Sequence, residues 1–140
     1  NNVWFVNYKG YQDDPVSFRY ALRPHRAFDS SDAKKFGIGL TQPLIVVPAG
    51  EGQPGISSLL KLEGSPSVIA TSLKPARDGN GWVLRLFNTT DEPAKVKLNW
   101  GERKPSGIFL SNEKEKFFEK ITPDLSLDEW EVRTLRVVFE

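Results

Sequence analysis

Apolar and polar residues alternate in two segments of this chain. In residues 16–22 the apolar positions are every second residue, namely Val16, Phe18, Tyr20 and Leu22. Residues 94–100 repeat the pattern, with lysine or asparagine between the apolar positions. A period of two is typical of a strand that buries one face. The pattern therefore predicts a strand in each segment.

A β-hairpin is predicted in the middle of the chain. Residues 68–73 and 82–87 are rich in apolar residues, and the segment between them contains Asp78-Gly79 and Asn80-Gly81. Such pairs supply the positive φ angles that a tight reversal needs. Apolar content and flanking turn residues predict further strands at residues 3–8, 44–47, 58–62, 107–110 and 129–139.

The strand count favours an all-β antiparallel sandwich over an α/β fold, because segments of helical period are missing between the strands. Residues 112–120 leave two alternatives open: Asn112 and Glu115 resemble a capping box, which favours a helical turn, and an irregular strand fits equally well. The Gly- and Pro-rich residues 48–55 have the composition of a loop or a linker between two domains. The part before them is too small to fold alone, so a single domain over residues 1–140 is predicted.

Composition narrows the possible partners. The chain has 19 Lys and Arg against 18 Asp and Glu, interspersed, which argues against nucleic acid. Its longest apolar run, residues 44–47, is too short to span a membrane. The absence of cysteine excludes disulfides and thiolate chemistry, is compatible with a secreted or periplasmic setting, and does not identify the compartment. Because the chain starts at Asn1 without methionine, we expect further residues before it.

The single histidine, His25, is the first candidate for chemistry. Asp29, Ser30 and Ser31 follow closely in the sequence, but a catalytic triad is assembled by the fold rather than by sequence proximity. A structural or interface role for His25 is therefore favoured, and a small hydrolase built around it stays as an alternative.

Other candidate motifs have simpler structural interpretations. Adjacent acids occur at residues 13–14, 91–92 and 128–129, but neighbours on a strand point to opposite faces, which does not make a glycosidase pair. Residues 37–39, Gly-Ile-Gly, lack the pattern of a phosphate loop and predict a tight turn. Residues 88–90, Asn-Thr-Thr, match the N-glycosylation pattern, but the polar residues around them predict a turn.

Two further hypotheses concern aromatic and charged side chains. Trp4, Tyr8 and Tyr11 are candidates for stacking on sugars, although core or interdomain packing is favoured. Arg85 and Glu131 each lie in an apolar strand, where an unpaired charge would be costly. We therefore predict an ion pair between Arg85 and Glu131.

The first half of the chain resembles family 38 α-mannosidases in several short strings. Residues 1–8, Asn-Asn-Val-Trp-Phe-Val-Asn-Tyr, resemble the family's Asn-Asn-x-Trp-x-Thr-Asn-Tyr, with valine in place of threonine. Residues 18–20 match its Phe-Arg-Tyr strand, and residues 20–25 its Tyr-x-Leu-x-Pro-His. Residues 42–44, Gln-Pro-Leu, are similar to its Asn-x-Pro-Leu.

The second half carries the same resemblance in the same order. Residues 73–79 are similar to the family's Leu-Lys-Pro-Ala-Glu-Asp-Gly hairpin, with arginine in place of the acidic residue. Residues 84–88 are similar to its Leu-Arg-Leu-Tyr-Asn strand, and residues 131–135 to its closing Glu-Ile-x-Thr-Leu. The weakest agreement is at residues 50–65 and 101–120.

This resemblance implies a non-catalytic C-terminal β-domain of a retaining, zinc-dependent hydrolase of α-mannosides. Its zinc site and aspartate nucleophile would lie in an N-terminal catalytic barrel outside these residues, so we expect no enzymatic activity and no cofactor in this chain alone. The expected partner is that catalytic domain, and mannose-containing glycans are expected only through the parent enzyme. The candidate interdomain or substrate-proximal residues are Trp4, Asn7, Tyr8 and His25. The alternative is a freestanding carbohydrate-binding module.

Overall fold

The computed structural model describes residues 13–42, 44–46, 48 and 58–139. Within these residues one helix precedes eight strands, which form two antiparallel sheets. The predicted all-β sandwich is therefore confirmed. The elements are α1 (Ser30–Thr41), β1 (Lys61–Gly64), β2 (Val68–Pro75), β3 (Trp82–Asn88), β4 (Ala94–Asn99), β5 (Gly107–Ser111), β6 (Phe117–Ile121), β7 (Asp124–Leu127) and β8 (Val132–Val138).

The smaller sheet has the strand order β1-β4-β7, and the larger has the order β2-β3-β8-β5-β6. The predicted hairpin is confirmed: β2 and β3 pair with Pro75 opposite Trp82. Its turn uses Gly79 at φ 74° and Gly81 at φ 91°. A Cβ at Gly81 would lie 2.2 Å from the carbonyl oxygen of Val137, so only glycine fits where the hairpin passes β8.

The core lies between the two sheets. Leu84 and Leu86 of β3, Leu127 of β7 and Leu135 of β8 are 0% exposed. On β4 the apolar residues are buried and the lysines between them are exposed, as the alternation predicted. The inner faces of both sheets therefore supply one continuous apolar cluster.

Most of the other strand predictions are also confirmed. Strands occur within or across residues 68–73, 107–110 and 129–139, whereas the strand predicted at 58–62 begins only at Lys61. Of residues 112–120, the last four adopt the strand alternative in β6, whereas residues 112–116 form a turn and no helix. Asn112 stabilises the turn between β5 and β6, because its side-chain oxygen accepts hydrogen bonds from the backbone N–H groups of Lys114 and Lys116, at 3.0 and 3.1 Å.

Three predictions of secondary structure are wrong. Residues 16–22 are not part of any sheet, and their apolar side chains are exposed, up to 93% at Leu22. Residues 44–46 are likewise exposed and not in a strand, while residues 3–8 and 47 lie outside the described part. Residues 37–39 belong to α1 rather than to a tight turn. The sequence patterns also did not predict α1 or β7.

The predicted ion pair between Arg85 and Glu131 is not formed. Arg85 lies opposite Thr134 of β8, and its Nε donates to the hydroxyl of that threonine at 3.3 Å. Glu131 instead accepts two hydrogen bonds from the guanidinium of Arg133, at 2.6 and 2.7 Å. Glu131 and Arg133 are two residues apart and share a side of the extended backbone, whereas Thr134 points to the other side.

The buried arginine of this fold is Arg136 on β8, whose side chain is 1% exposed. Its Nε donates to the carbonyl oxygen of Asn80 at 2.8 Å, and its guanidinium pairs with Asp78 in the hairpin turn. The backbone N–H of Asn80 and the guanidinium of Arg136 both lower the pKa of Asp78. Phe117 covers the guanidinium, with the ring centroid 5.7 Å away.

A second cluster ties the same hairpin to the turn before β6. Glu115 adopts φ 65°, and its side chain is 8% exposed. Its carboxylate accepts a hydrogen bond from the backbone N–H of Arg77 at 2.8 Å and pairs with the ammonium of Lys74. The N–H of Arg77, followed by the Lys74 ammonium, lowers the pKa of Glu115 below its ordinary value.

Among the described residues, no helix is long and apolar enough to cross a membrane.

Leu127→Ala should reduce the free energy of unfolding by about 2–5 kcal/mol, because it opens a cavity between the sheets. Leu127 is 0% exposed, whereas Leu44 is 95% exposed and provides a matched control. Leu44→Ala should change the free energy by less than about 0.5 kcal/mol. Urea titration of the 140-residue chain measures both. Equal losses for the two variants would contradict the assignment of the core.

Acid should destabilise the chain partly through Glu115. A carboxyl whose pKa is lowered by folding contributes stability that is present above its ordinary pKa of 4.5 and is lost as pH falls through the folded value. The melting temperature of Glu115→Gln should therefore fall less steeply between about pH 5 and about pH 3 than that of the unaltered chain. Glu113→Gln is the control, since Glu113 takes part in no ion pair between described residues. Parallel slopes for all three proteins would refute this role.

Candidate functional site

A buried polar corner follows β3. Asn88 is 0% and Thr89 is 2% exposed. The side-chain amide of Asn88 donates to the carbonyl oxygens of Glu92 at 2.7 Å and Asp128 at 2.8 Å. The chain does turn here, with the Thr90 N–H donating to the Asn88 side chain, but Asn88 still belongs to β3 and the turn leads into the other sheet rather than into a hairpin. Because the amide nitrogen is enclosed and makes two hydrogen bonds, it is inaccessible to a glycosylating enzyme in the folded chain.

This corner attaches α1 to the sandwich. The hydroxyl of Thr89 donates to the carbonyl oxygen of Ser67 at 2.9 Å, and the hydroxyl of Ser31 lies 2.8 Å from the Thr89 oxygen. Since Thr89 uses its hydrogen on Ser67, Ser31 is the donor to Thr89. The ammonium of Lys34 also lies 5.6 Å from the ring centroid of Phe87 on β3. Ser31 is the only residue of α1 that is buried, so these polar contacts position the helix.

The start of α1 is fixed by Asp29. Its side-chain oxygen accepts a hydrogen bond from the backbone N–H of Asp32 at 2.8 Å, which is an N-cap. Asp32 lies 3.7 Å from the guanidinium of Arg23, and both groups are exposed. The cap therefore determines the residue at which the preceding segment enters α1.

His25 lies in the segment that precedes α1, and it lines a shallow cavity of about 500 Å³. Its Nδ1–H donates to the carbonyl oxygen of Ala27 at 3.1 Å, and its ring meets the ring of Phe28 edge-on at 6.4 Å. Asp29 and Asp32 line the same cavity, but one caps α1 and the other pairs with Arg23. Neither of these two carboxylates is therefore oriented towards His25 to make it a catalytic base.

The residues around His25 also do not fit a metal or a nucleophile. Ser31, the nearby hydroxyl that sequence proximity suggested, is directed at Thr89. Within residues 13–42, 44–46, 48 and 58–139, no group of three side chains from His, Asp and Glu is placed to hold a metal ion.

A row of large apolar side chains is exposed before α1. We call residues 16–28 the apolar segment. Its exposed fractions are 72% for Phe18, 85% for Tyr20, 93% for Leu22 and 73% for Phe28. The rings of Phe18 and Tyr20 stack with centroids 6.4 Å apart. Beyond α1, the side chains of residues 44–46 are also almost fully exposed.

The structure places one of the four candidate interdomain residues, His25, in this apolar segment. Trp4, Asn7 and Tyr8 lie outside the described residues. The sequence analysis did not predict that the apolar side chains of residues 16–22 are exposed. The alternation of these residues marked them as a strand with one buried face.

The fold and these contacts define a two-sheet antiparallel β-sandwich with a helix and an exposed apolar segment on its N-terminal side. Residues 67–135 match the family model "Glycosyl hydrolases family 38 C-terminal beta sandwich domain". The matched part runs from the residue before β2 into β8. The apolar segment and α1 precede the matched residues.

Among solved structures, the chain is similar to an apo exo-carrageenase GH42 from Bacteroides ovatus. The sequences are 15% identical, and the TM-score is 0.43 over 59% of this chain and 11% of that one. The chain thus spans about a tenth of the length of that enzyme. No curated protein sequence matches the chain.

Asp29→Ala should loosen α1, because the first turn loses its N-cap. The loss of about 1 kcal/mol that such a cap provides corresponds to about fivefold faster amide hydrogen exchange in α1, with β3 and β8 unaffected. Asp29→Asn is the control, since asparagine caps equally well and should leave the exchange rates unchanged. Unaltered exchange in Asp29→Ala would show that Asp29 does not determine the start of the helix.

Proposed function

We propose that this chain is a non-catalytic C-terminal domain of a family 38 glycosidase and that it packs against the catalytic domain of the same polypeptide. We further propose that the parent enzyme is a retaining, zinc-dependent α-mannosidase. The observation that carries the proposal is the exposure of the apolar segment in a chain whose sandwich matches the model of that family's C-terminal domain.

The exposed area is costly unless a partner covers it. Phe18, Tyr20 and Leu22 are each more than 70% exposed. Burying a large apolar side chain stabilises a protein by about 1.5–3 kcal/mol, and contiguous exposed apolar patches mark interaction sites. Three or four such side chains in one row therefore supply the central contacts of an interface.

The backbone of residues 16–22 suggests how the interface forms. It has no regular secondary structure, belongs to neither sheet and alternates apolar and polar side chains. A segment of this kind adds to the free edge of a sheet, because its N–H and C=O groups are then satisfied and its apolar face is buried. In this proposal the segment forms a strand only with the catalytic domain.

The described residues do not favour chemistry within the chain. A zinc site here would depend on His25 together with Asp29 and Asp32, and those two acids already serve as a helix cap and an ion-pair partner. In this proposal residues of the catalytic domain would hold the zinc ion, which would act there as a Lewis acid.

The test is made on the complete polypeptide that carries this chain. We expect it to hydrolyse an aryl α-mannoside, to lose turnover with a zinc chelator and to regain it with added zinc. Leu22→Asp should place a charge in the buried interface, lower the melting temperature by several degrees and expose residues 13–28 to limited proteolysis. The isolated 140-residue chain should show no turnover, with or without zinc.

Ala21→Asp is the matched control, because it adds the same charge to the other face of the same segment. Unchanged melting and proteolysis in Leu22→Asp would refute docking through the apolar face. Turnover by the isolated chain that His25→Ala abolishes would instead support the small hydrolase. Millimolar or tighter binding of mannose by the isolated chain, measured by isothermal titration, would favour a carbohydrate-binding module.

A further inference from the structure

A second surface, remote in sequence from the apolar segment, has the character of a ligand site. A groove of about 580 Å³ lies at the end of the sandwich, between the end of β4, the start of β5 and the end of β6. That volume falls within the range of small-molecule sites in proteins, about 300–1,000 Å³. Nothing in the proposed docking role uses this groove.

Positive charge converges on the groove. Lys97 from β4, Lys104 from the following loop and Lys120 from β6 line it. Within the part of the chain that the structure describes, none of these three lysines takes part in an ion pair. Lys120 makes one hydrogen bond, from its Nζ to the carbonyl oxygen of Ser106 at 3.3 Å.

The groove has a single acidic residue among the described residues that line it, Glu63. The carboxylate of Glu63 accepts a hydrogen bond from the side-chain amide of Asn99 at 2.7 Å. Three lysines therefore line the groove against one glutamate, which lies opposite Lys97 in the smaller sheet, so the lining carries an excess of positive charge. A groove of one predominant sign attracts and retains a ligand of the opposite sign.

The floor of the groove is apolar and rigid. Trp100 is 4% exposed and Ile108 is 4% exposed, and the Trp100 ring meets Phe139 edge-on at 5.4 Å. The indole N–H of Trp100 has no hydrogen-bond acceptor in the described structure. Buried donors are nearly always paired, so an unpaired one beside a groove is a signal of an absent polar partner.

We propose that this groove binds a saccharide that carries a negatively charged carboxylate or sulfate group. The lysines supply charge-assisted hydrogen bonds to the anionic oxygens, and the partly exposed apolar residues that line the groove, Pro105 and Ile121, receive the C–H face of the sugar ring. A neutral sugar would leave the ammonium groups without an anion. An inorganic anion alone would leave the apolar floor uncovered.

The test is a titration of the ¹⁵N-labelled 140-residue chain, followed by NMR, with glucuronate and with glucose 6-sulfate. We expect binding with a Kd on the order of millimolar, chemical-shift changes at the indole N–H of Trp100, and weaker binding as salt is raised. Glucose should bind at least about fivefold more weakly than either anion. The anion with the lower Kd identifies which charged group the groove prefers.

Substitutions separate the groove from general surface charge. Lys97→Gln and Lys104→Gln should each raise the Kd about two- to fivefold, and the triple variant that adds Lys120→Gln should abolish saturable binding. Lys95→Gln is the control, because Lys95 is exposed on the same strand as Lys97 but does not line the groove. All four variants should keep the unaltered spectrum of the core.

Three outcomes would overturn the proposal. The first is equal affinity for glucose and the two anionic sugars. The second is binding that the triple variant leaves unchanged. The third is an adventitious ion only, in which sodium sulfate produces the same shifts with the same Kd as glucose 6-sulfate.

Discussion

The contact between the inner faces of the two sheets determines where every other part of this molecule lies. Leu127 of the smaller sheet and Leu84 and Leu135 of the larger sheet are completely buried in that contact. Because the inner faces are apolar, the charged residues of the strands are directed outward or into turns. Arg136 also follows this rule, since it lies between the core residues Leu135 and Val137 and points to the outer face, where Asp78 and Asn80 of the hairpin turn and the ring of Phe117 bury it.

A short series of hydrogen bonds connects the sandwich to α1, which follows the proposed docking surface. Asn88 fixes the corner after β3, Thr89 extends it, and Ser31 attaches α1 to it. No apolar face of α1 is buried, so this polar attachment together with the cap at Asp29 sets the direction in which the apolar segment leaves the sandwich. A segment held at one end by a few hydrogen bonds adjusts readily to a partner.

The sequence predicted the sandwich because alternation is reliable where one face of a strand is buried, as on β4. Residues 16–22 show the same alternation but belong to no sheet. Alternation with a period of two gives a segment an apolar face, but a sheet also needs a neighbouring strand to pair with it. Helix α1 escaped prediction because it buries only Ser31 and contains two glycines. Arg85 and Arg136 both follow apolar residues, and only the register with the hairpin turn decides which is buried.

The two proposed surfaces differ in how far each could be predicted from the sequence. The apolar segment is contiguous, so its composition was visible, and the structure added only that its face is uncovered. The groove unites Glu63, Lys97 and Lys120, which come from three strands of two sheets, and no spacing in the sequence relates them. The surfaces share no residue, and the sheets that connect them are rigidly packed. A substitution in one surface therefore leaves the lining of the other unaltered, and the two proposals are tested independently.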